Sequence, residues 1–345
     1  MMAARRSGAA VRASRLPMLL LAAACIVAAC GGPGAPTAEQ PDHVRAVVMP
    51  YLTFMPFHIA AQEGYFAAQN LEVEFIRLPR IQELMTGLAR GEVDVAGGML
   101  TTTVLNSIAG GARMRMVGAL GHLPDDCAFS GFVVRRELYD EGALEDPERL
   151  RELTWDADIL IPYGYWLDEL LRPFGLGFGD LDIVNLQEAT AVEAILTDSI
   201  DVTVVTEPFL SRLVASPQDA VAWKSVAELV PGYQISNLMY GPTFLDERPE
   251  VGRRFAIAML QAIRQFNEGK TPRNLQIVEE ASGLTAKQVA AACWPAARTD
   301  GLIPAGAFAG YQEWMLSSGL AERTLSDSEL IDPGFMIHAN EALDR

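Results

Sequence analysis

Two hydrophobic rhythms alternate along the chain. In "LEVEFIRL", Leu71, Val73, Phe75 and Leu78 are apolar, while Glu72, Glu74 and Arg77 are polar. A period of two predicts a strand with one covered face. "VRAVVM", "VDVAGG", "RMRMVGAL", "DILIPYG", "DIVNLQ" and "IDVTVVTEP" read as further strands, several of them apolar throughout and therefore buried. Between them lie helical stretches: 57–69, "IQELMTGLARG" stopped by Gly91, "TTTVLNSIAGG" with a Thr start and a Gly-Gly stop, and "YWLDELLRPFGL". "ATAVEAILTDS" carries a Thr190–Glu193 pair resembling a capping box, and "FLSRLVAS" follows the last strand of the series. Strands alternating with short helices predict an α/β fold with mostly parallel sheets. The rhythm is broken once, by the extended "SGFVVRREL" and the charged "DEGALEDPERLREL". Two α/β series therefore flank that segment. Beyond "VAWKSVAEL" the pattern becomes largely helical, over 249–268, 272–282, 285–294 and 304–318.

The N-terminus predicts a location. Arg5, Arg6, Arg12 and Arg15 precede "LPMLLLAAACIVAAC". That apolar run is too short to span a bilayer and has the length of a signal-peptide core. It ends in Val27-Ala28-Ala29-Cys30, which looks like the cleavage signal of bacterial lipoproteins, with Cys30 the lipidated first residue. An ordinary signal peptide cut near Ala29 is the alternative. "GGPGAPTAEQPD" then reads as a tether without a core of its own. The expected organisation is a leader at 1–29, a tether at 30–42, the first part of one lobe at 43–128, a second lobe at 129–222, and a return to the first lobe with a helical tail at 223–345.

Composition narrows the partners. The formal net charge of −17 becomes −21 once the four leader arginines are removed. Such a surface repels nucleic acid and anionic lipid head groups. Two cysteines remain in the body, Cys127 and Cys293. They could pair in an oxidising compartment, but spacing does not test geometry, and two separate buried thiols is the preferred expectation. No G-x-S-x-G, H-E-x-x-H, CxxC or P-loop is present, and His43, His58, His122 and His338 are scattered. Neither an enzyme, a cofactor nor a metal site is expected.

"FHIAAQEGYFAAQNLEVEF" resembles the opening of type II periplasmic solute-binding proteins, in the NMT1/THI5-like branch that includes sulfonate-, taurine-, nitrate- and thiamine-precursor-binding proteins. "LMTGLARGEVDVAGG", "AILTDSIDVTVVTEPF" and "DPGFMIHANEAL" resemble later landmarks of that group in the same order. The resemblance implies two α/β lobes joined by crossover strands, a ligand in the cleft between them, and closure about a hinge. It also implies a monomer in the periplasm or cell envelope that delivers a small molecule to an ABC permease. Two other readings stay open. One is a ligand-sensing receptor without a transporter. The other is a pyrimidine-precursor synthase of the THI5 type, although the "CCCFC" stretch of those enzymes is missing here.

Ligands of open α/β sheets bind beyond the carboxyl ends of the strands, so the loops leaving those ends supply the candidates. In "YLTFMPF" these are Tyr51, Thr53 and Met55, with Phe57 read as core. In "AGGMLTTT" they are Gly98, Met99, Thr101 and Thr102, where Gly97 and Gly98 admit close backbone approach and helix N-terminal amides could hold an oxygen. His122 follows the fourth strand. In "IPYGYW", Tyr163, Tyr165 and Trp166 stand where relatives often carry small residues, which favours stacking on a flat or apolar solute. Glu207 in "TEPF" and Asn237 in "QISNLMYG" complete the set. No Lys or Arg falls in these loops, and Arg77 and Arg80 are the nearest cations. The expected ligand is therefore uncharged, zwitterionic or cationic. Replacing Cys30 with Ser is expected to move the protein from the membrane pellet to the soluble fraction; unchanged pelleting would refute lipidation at Cys30.

Overall fold

The computed structural model describes residues 40–49, 51–76 and 86–345. Cys30, the leader, most of the tether, and Arg77 and Arg80 lie outside the described residues. Ten strands are described: β1 (Asp42–Val47), β2 (Leu71–Ile76), β3 (Val95–Gly98), β4 (Arg115–His122), β5 (Ser130–Arg135), β6 (Thr154–Asp156), β7 (Asp182–Val184), β8 (Val202–Thr206), β9 (Ala220–Ser225) and β10 (Gln234–Tyr240). They form two five-stranded sheets, ordered β2-β1-β3-β10-β4 and β7-β6-β8-β5-β9. β1 runs parallel to β2 and β3, and β6 runs parallel to β7 and β8. In each sheet one crossover strand is antiparallel to its neighbours: β10 in the first, β5 in the second. The chain passes between the sheets twice, through 123–129 and 226–233.

β3, β8 and β10 are buried at every position. This is the continuous apolar run expected of strands covered on both faces. The long helix Pro249–Phe266 lies under the first sheet and fully buries Phe255, Met259 and Ile263. Its Phe255 ring stacks on Phe66 at 4.9 Å and leans on Phe57 at 6.2 Å. Burying each such side chain contributes roughly 1.5–3 kcal/mol, so the helical tail is part of the first lobe's core.

Local details depart from the sequence reading where turn chemistry overrides periodicity. The helix expected over 57–69 starts at Met55 and breaks at Gly64, whose φ of 74° ends the first piece. "DILIPYG" is no strand: β6 stops at Asp156, and a turn closed by the Leu160 N–H on Asp158 Oδ1 (2.9 Å) leads into a helix, Pro162–Leu171. Pro162 has no N–H to leave unsatisfied and suits that first turn. The helix read from Thr190 begins at Glu188, with Gln187 in extended backbone before it, so the Thr190–Glu193 pair is not its start. "IQELMTGLARG" is described only from residue 86, where 86–89 are helical before Gly91.

The two body cysteines are not separate thiols. Cys127 and Cys293 form a disulfide across 166 positions, with Cα atoms 5.8 Å apart. Cys127 sits on the first crossing between the sheets. The segment around Cys293 is held there by further bonds: its N–H donates to Glu207 Oε1 (3.0 Å), and the His122 N–H donates to Ala296 O (2.8 Å). A covalent link closing so long a loop restricts the unfolded chain strongly. The double variant Cys127→Ser/Cys293→Ser is expected to lose about 2–5 kcal/mol of unfolding free energy in a urea titration; an unchanged midpoint would show that the bond is not formed in the native protein.

Candidate functional site

The carboxyl ends of the parallel strands of both sheets meet at one cavity. Its empty space, counting the open mouth, is about 530 Å³. From the first sheet, the segment after β1 contributes Met49, Tyr51, Thr53 and Phe54, and the segment after β3 contributes Gly98, Met99 and Thr101. From the second come Ile161 and Tyr163 at the start of the Pro162–Leu171 helix, and Thr206 at the end of β8. Ile235 and Ser236 enter from β10, whose antiparallel course puts its beginning at this same edge.

Tyr51, Thr53, Gly98, Met99, Thr101 and Tyr163 thus face one space. Neither the Tyr51 nor the Thr53 hydroxyl makes a hydrogen bond to a described residue. Tyr51 meets Phe209 of the second lobe edge-on at 6.3 Å, so its ring spans the cleft. Burial pushes its phenol up, with Glu188 nearby adding to the effect. Thr101 caps the Thr102–Ala109 helix by accepting the Val104 N–H at 3.2 Å.

The other candidates lie outside the cavity wall. Met55 is fully buried at the start of its helix. The Thr102 N–H, expected to be open to a ligand, donates to Leu160 O of the second lobe at 3.0 Å. This helix N-terminus is therefore partly satisfied by protein. His122 is half-buried, with its backbone paired to Ala296, and burial lowers its pKa. Trp166 is fully buried, stacked on Tyr163 at 5.0 Å and edge-on to Tyr233 at 5.6 Å; its indole N–H has no partner. Tyr165 packs among Tyr233, Tyr311 and Trp314. Glu207 accepts from the Ser211 N–H (3.1 Å), the Ser211 hydroxyl (2.7 Å) and Cys293 N–H, which makes it a brace for the C-terminal segment. Asn237 is fully buried behind Gly98, donating to its carbonyl at 3.4 Å. Gly97 has a packing reason: a Cβ there would fall 2.1 Å from the Phe54 ring.

Glu188 is the main residue missed. The Tyr163 hydroxyl donates to Glu188 Oε1. Tyr163 also bonds Thr206 Oγ1 at 2.8 Å, and Thr206 bonds Ser130 Oγ at 3.1 Å. Behind the apolar wall therefore runs a chain of hydroxyls ending on a carboxyl. Glu188 as a residue is partly exposed, but its Oε2 is shut off from solvent and has no hydrogen-bond partner among the described residues. Burial pushes the carboxyl up to about 8, against the smaller opposing pull of the Tyr163 hydroxyl and the Thr206 N–H. In the sequence Glu188 is one acid at a helix start, which ordinary capping explains. Thr206, Ile235 and Ser236 each lie one or two residues from a chosen candidate; only the path of the strand ends selects them.

A family model for the NMT1-like family matches residues 37–281. No curated protein matches the chain. Among solved structures, the periplasmic nitrate-binding protein NrtA from Synechocystis PCC 6803 superposes with a TM-score of 0.73 at 13% identity, covering 89% of this chain and 90% of that one. The ligand-binding component of an ABC-type import system from Staphylococcus aureus gives 0.71 at 14%, covering 86% and 99%. The desulfurization enzyme DSZB gives 0.64 at 15%, covering 88% and 99%. At these identities the likeness establishes the fold.

The raised carboxyl has a consequence for stability. Between its ordinary 4.5 and about 8, Glu188 keeps a proton in the folded chain that it loses when unfolded. Its contribution is fully present below the lower value and is lost as pH rises through the upper one. The urea midpoint should therefore fall between pH 5 and 8.5, and Glu188→Gln should flatten that fall; equal slopes in both proteins would place the carboxyl elsewhere than in a buried site.

Proposed function

The chain belongs to the NMT1-like family, and from that premise we propose that it is an exported, lipid-anchored solute-binding protein. It acts as a monomer, takes up a small organic molecule between its two sheets, and delivers it to an ABC permease. The observation that carries this reading is a cavity built jointly by the strand ends of both sheets. Its walls are mainly apolar, and the Tyr51 and Thr53 hydroxyls are left without a described partner. That is the make-up of a site that binds by shape and is oriented by a few polar groups. The Thr102–Leu160 bond and the Tyr51–Phe209 contact are weak links across the cleft. A hinge at the two crossings opens by breaking them and closes over the solute by re-forming them.

One structure of similar fold is an enzyme. Binding without chemistry is favoured here by the wall itself: its candidate nucleophiles are Ser, Thr and Tyr hydroxyls, and it holds no Cys, and no His or Lys to activate them. The wall likewise holds no Arg or Lys fork for an anion. This supports an uncharged, zwitterionic or cationic solute with a flat or apolar body.

A thermal-shift screen of residues 30–345 against aromatic amides, amidines, pyrimidines, amino-acid derivatives and sulfonates is expected to yield at least one compound that raises the melting temperature, since a ligand held only by the native state stabilises it. Tyr51→Phe and Thr53→Val should each weaken that compound's binding about 3–10-fold, the effect of one hydrogen bond. If no compound shifts the transition at millimolar concentration, the solute-binding reading fails.

A further inference from the structure

The solute-binding reading leaves open what the polar end of the cavity selects, and the hydroxyl chain behind Tyr163 addresses that question. Four groups stand in line: Ser130 Oγ, Thr206 Oγ1, the Tyr163 hydroxyl and Glu188 Oε1. A hydroxyl has one proton to donate. With Glu188 ionised, Tyr163 commits its proton to the carboxylate, Thr206 commits its own to Tyr163, and Ser130 donates to Thr206. Tyr163 and Thr206, which both line the cavity, then have only lone pairs left to offer it. We infer that Glu188 sets this end of the cavity to receive a cationic planar nitrogen group, such as an amidinium or a protonated N–H heterocycle.

Further observations support this, and the inference rests on the solute-binding reading. Glu188 has no counter-charge: no Lys, Arg or His among the described residues bonds to it. The groups facing it are Tyr163 from the Pro162–Leu171 helix, the Thr206 N–H from β8, and Tyr51 across the cleft. The nearby carboxyl of Asp156, on β6, is occupied by the Thr203 hydroxyl (2.7 Å) and the Leu186 N–H (2.8 Å), and adds negative charge. Arg212, on the adjacent Phe209–Val214 helix, is engaged with Glu193 at the surface. Oε2 meanwhile is buried with no hydrogen-bond partner among the described residues, so the ionised form of Glu188 lacks a donor on that oxygen. An anion placed at Tyr163 would meet lone pairs and a carboxyl. A cation there would donate to the Tyr163 and Thr206 lone pairs and carry a charge opposite to that of ionised Glu188. Of the solved structures described above, one is named for nitrate; the chemistry at this end of the present cavity is opposite in sign.

The inference also fixes a proton balance. Since burial holds Glu188 up to about 8 in the free protein, a cation arriving at neutral pH displaces a proton to solvent. Binding should then strengthen as pH rises, by up to about tenfold per unit, and level off near 8.

Benzamidine, benzamide and benzoate form a test set of one shape and three charges. Titration calorimetry of residues 30–345 is expected to show benzamidine binding at least tenfold tighter than benzoate, with benzamide between. Affinity for benzamidine should rise from pH 6 to 8 with release of a proton, measured from the buffer dependence of the heat. Glu188→Gln should abolish both the preference and the pH slope. Benzoate binding as tightly as benzamidine, or a preference unchanged in Glu188→Gln, would overturn the assignment. The wild-type order and slope decide the matter even if that variant folds poorly. Silence from all three alongside a hit of another class in the thermal screen would refute the assignment and leave solute binding standing. Silence from every compound would sink both.

Discussion

The structure depends on one constraint: the chain crosses twice between two sheets and must bring their carboxyl edges face to face. The strands β1, β3, β6 and β8 deliver their following segments to that edge, and the antiparallel crossover strand β10 begins there. The crossings are pinned. The Cys127–Cys293 disulfide ties the first crossing to the C-terminal segment, Glu207 accepts from the same segment, and the His122 backbone pairs with Ala296. The helical tail is consequently both a cover for the first sheet and a clamp across the junction. With the edges so placed, a cavity follows wherever side chains from opposite sides do not fill the gap.

What the cavity wall contains is set by which polar groups the fold has already used. The Thr102 amide is taken by Leu160, Glu207 by Ser211 and Cys293, and Asp156 by Thr203 and Leu186. Each of these groups could have held a ligand in another arrangement. In this one they stiffen the edges, and buried polar atoms are costly to leave unmatched. The cavity is left with hydroxyls, an apolar lining and, behind Tyr163, one carboxyl with an unmatched oxygen.

The aromatic residues divide the same way. Tyr163 reaches the cavity while Trp166, one helical turn on, stacks beneath it and packs on Tyr233. A Pro-started helix at 162 turns successive side chains by about 100°, so neighbouring aromatics in "YGYW" cannot all face one space. Tyr165 instead builds the hydrophobic seam with Tyr311 and Trp314 that joins the second lobe to the tail, and Trp166 backs it through Tyr233.

The sequence by itself determined the alternation of strands and helices, the two α/β series, the helical tail and several of the loops that line the cavity, because periodicity and turn residues act over a few positions. It also determined that those loops are short of cations. Only the tertiary structure decided that Cys127 meets Cys293, that "DILIPYG" is a turn and helix start, that Glu207 and Trp166 face inward, and that Glu188 stands behind Tyr163. Those outcomes depend on contacts between residues tens to hundreds of positions apart, such as 163 with 188 and 207 with 293. Local propensity carries no information about such distances; the closing of one sheet edge upon the other supplies it.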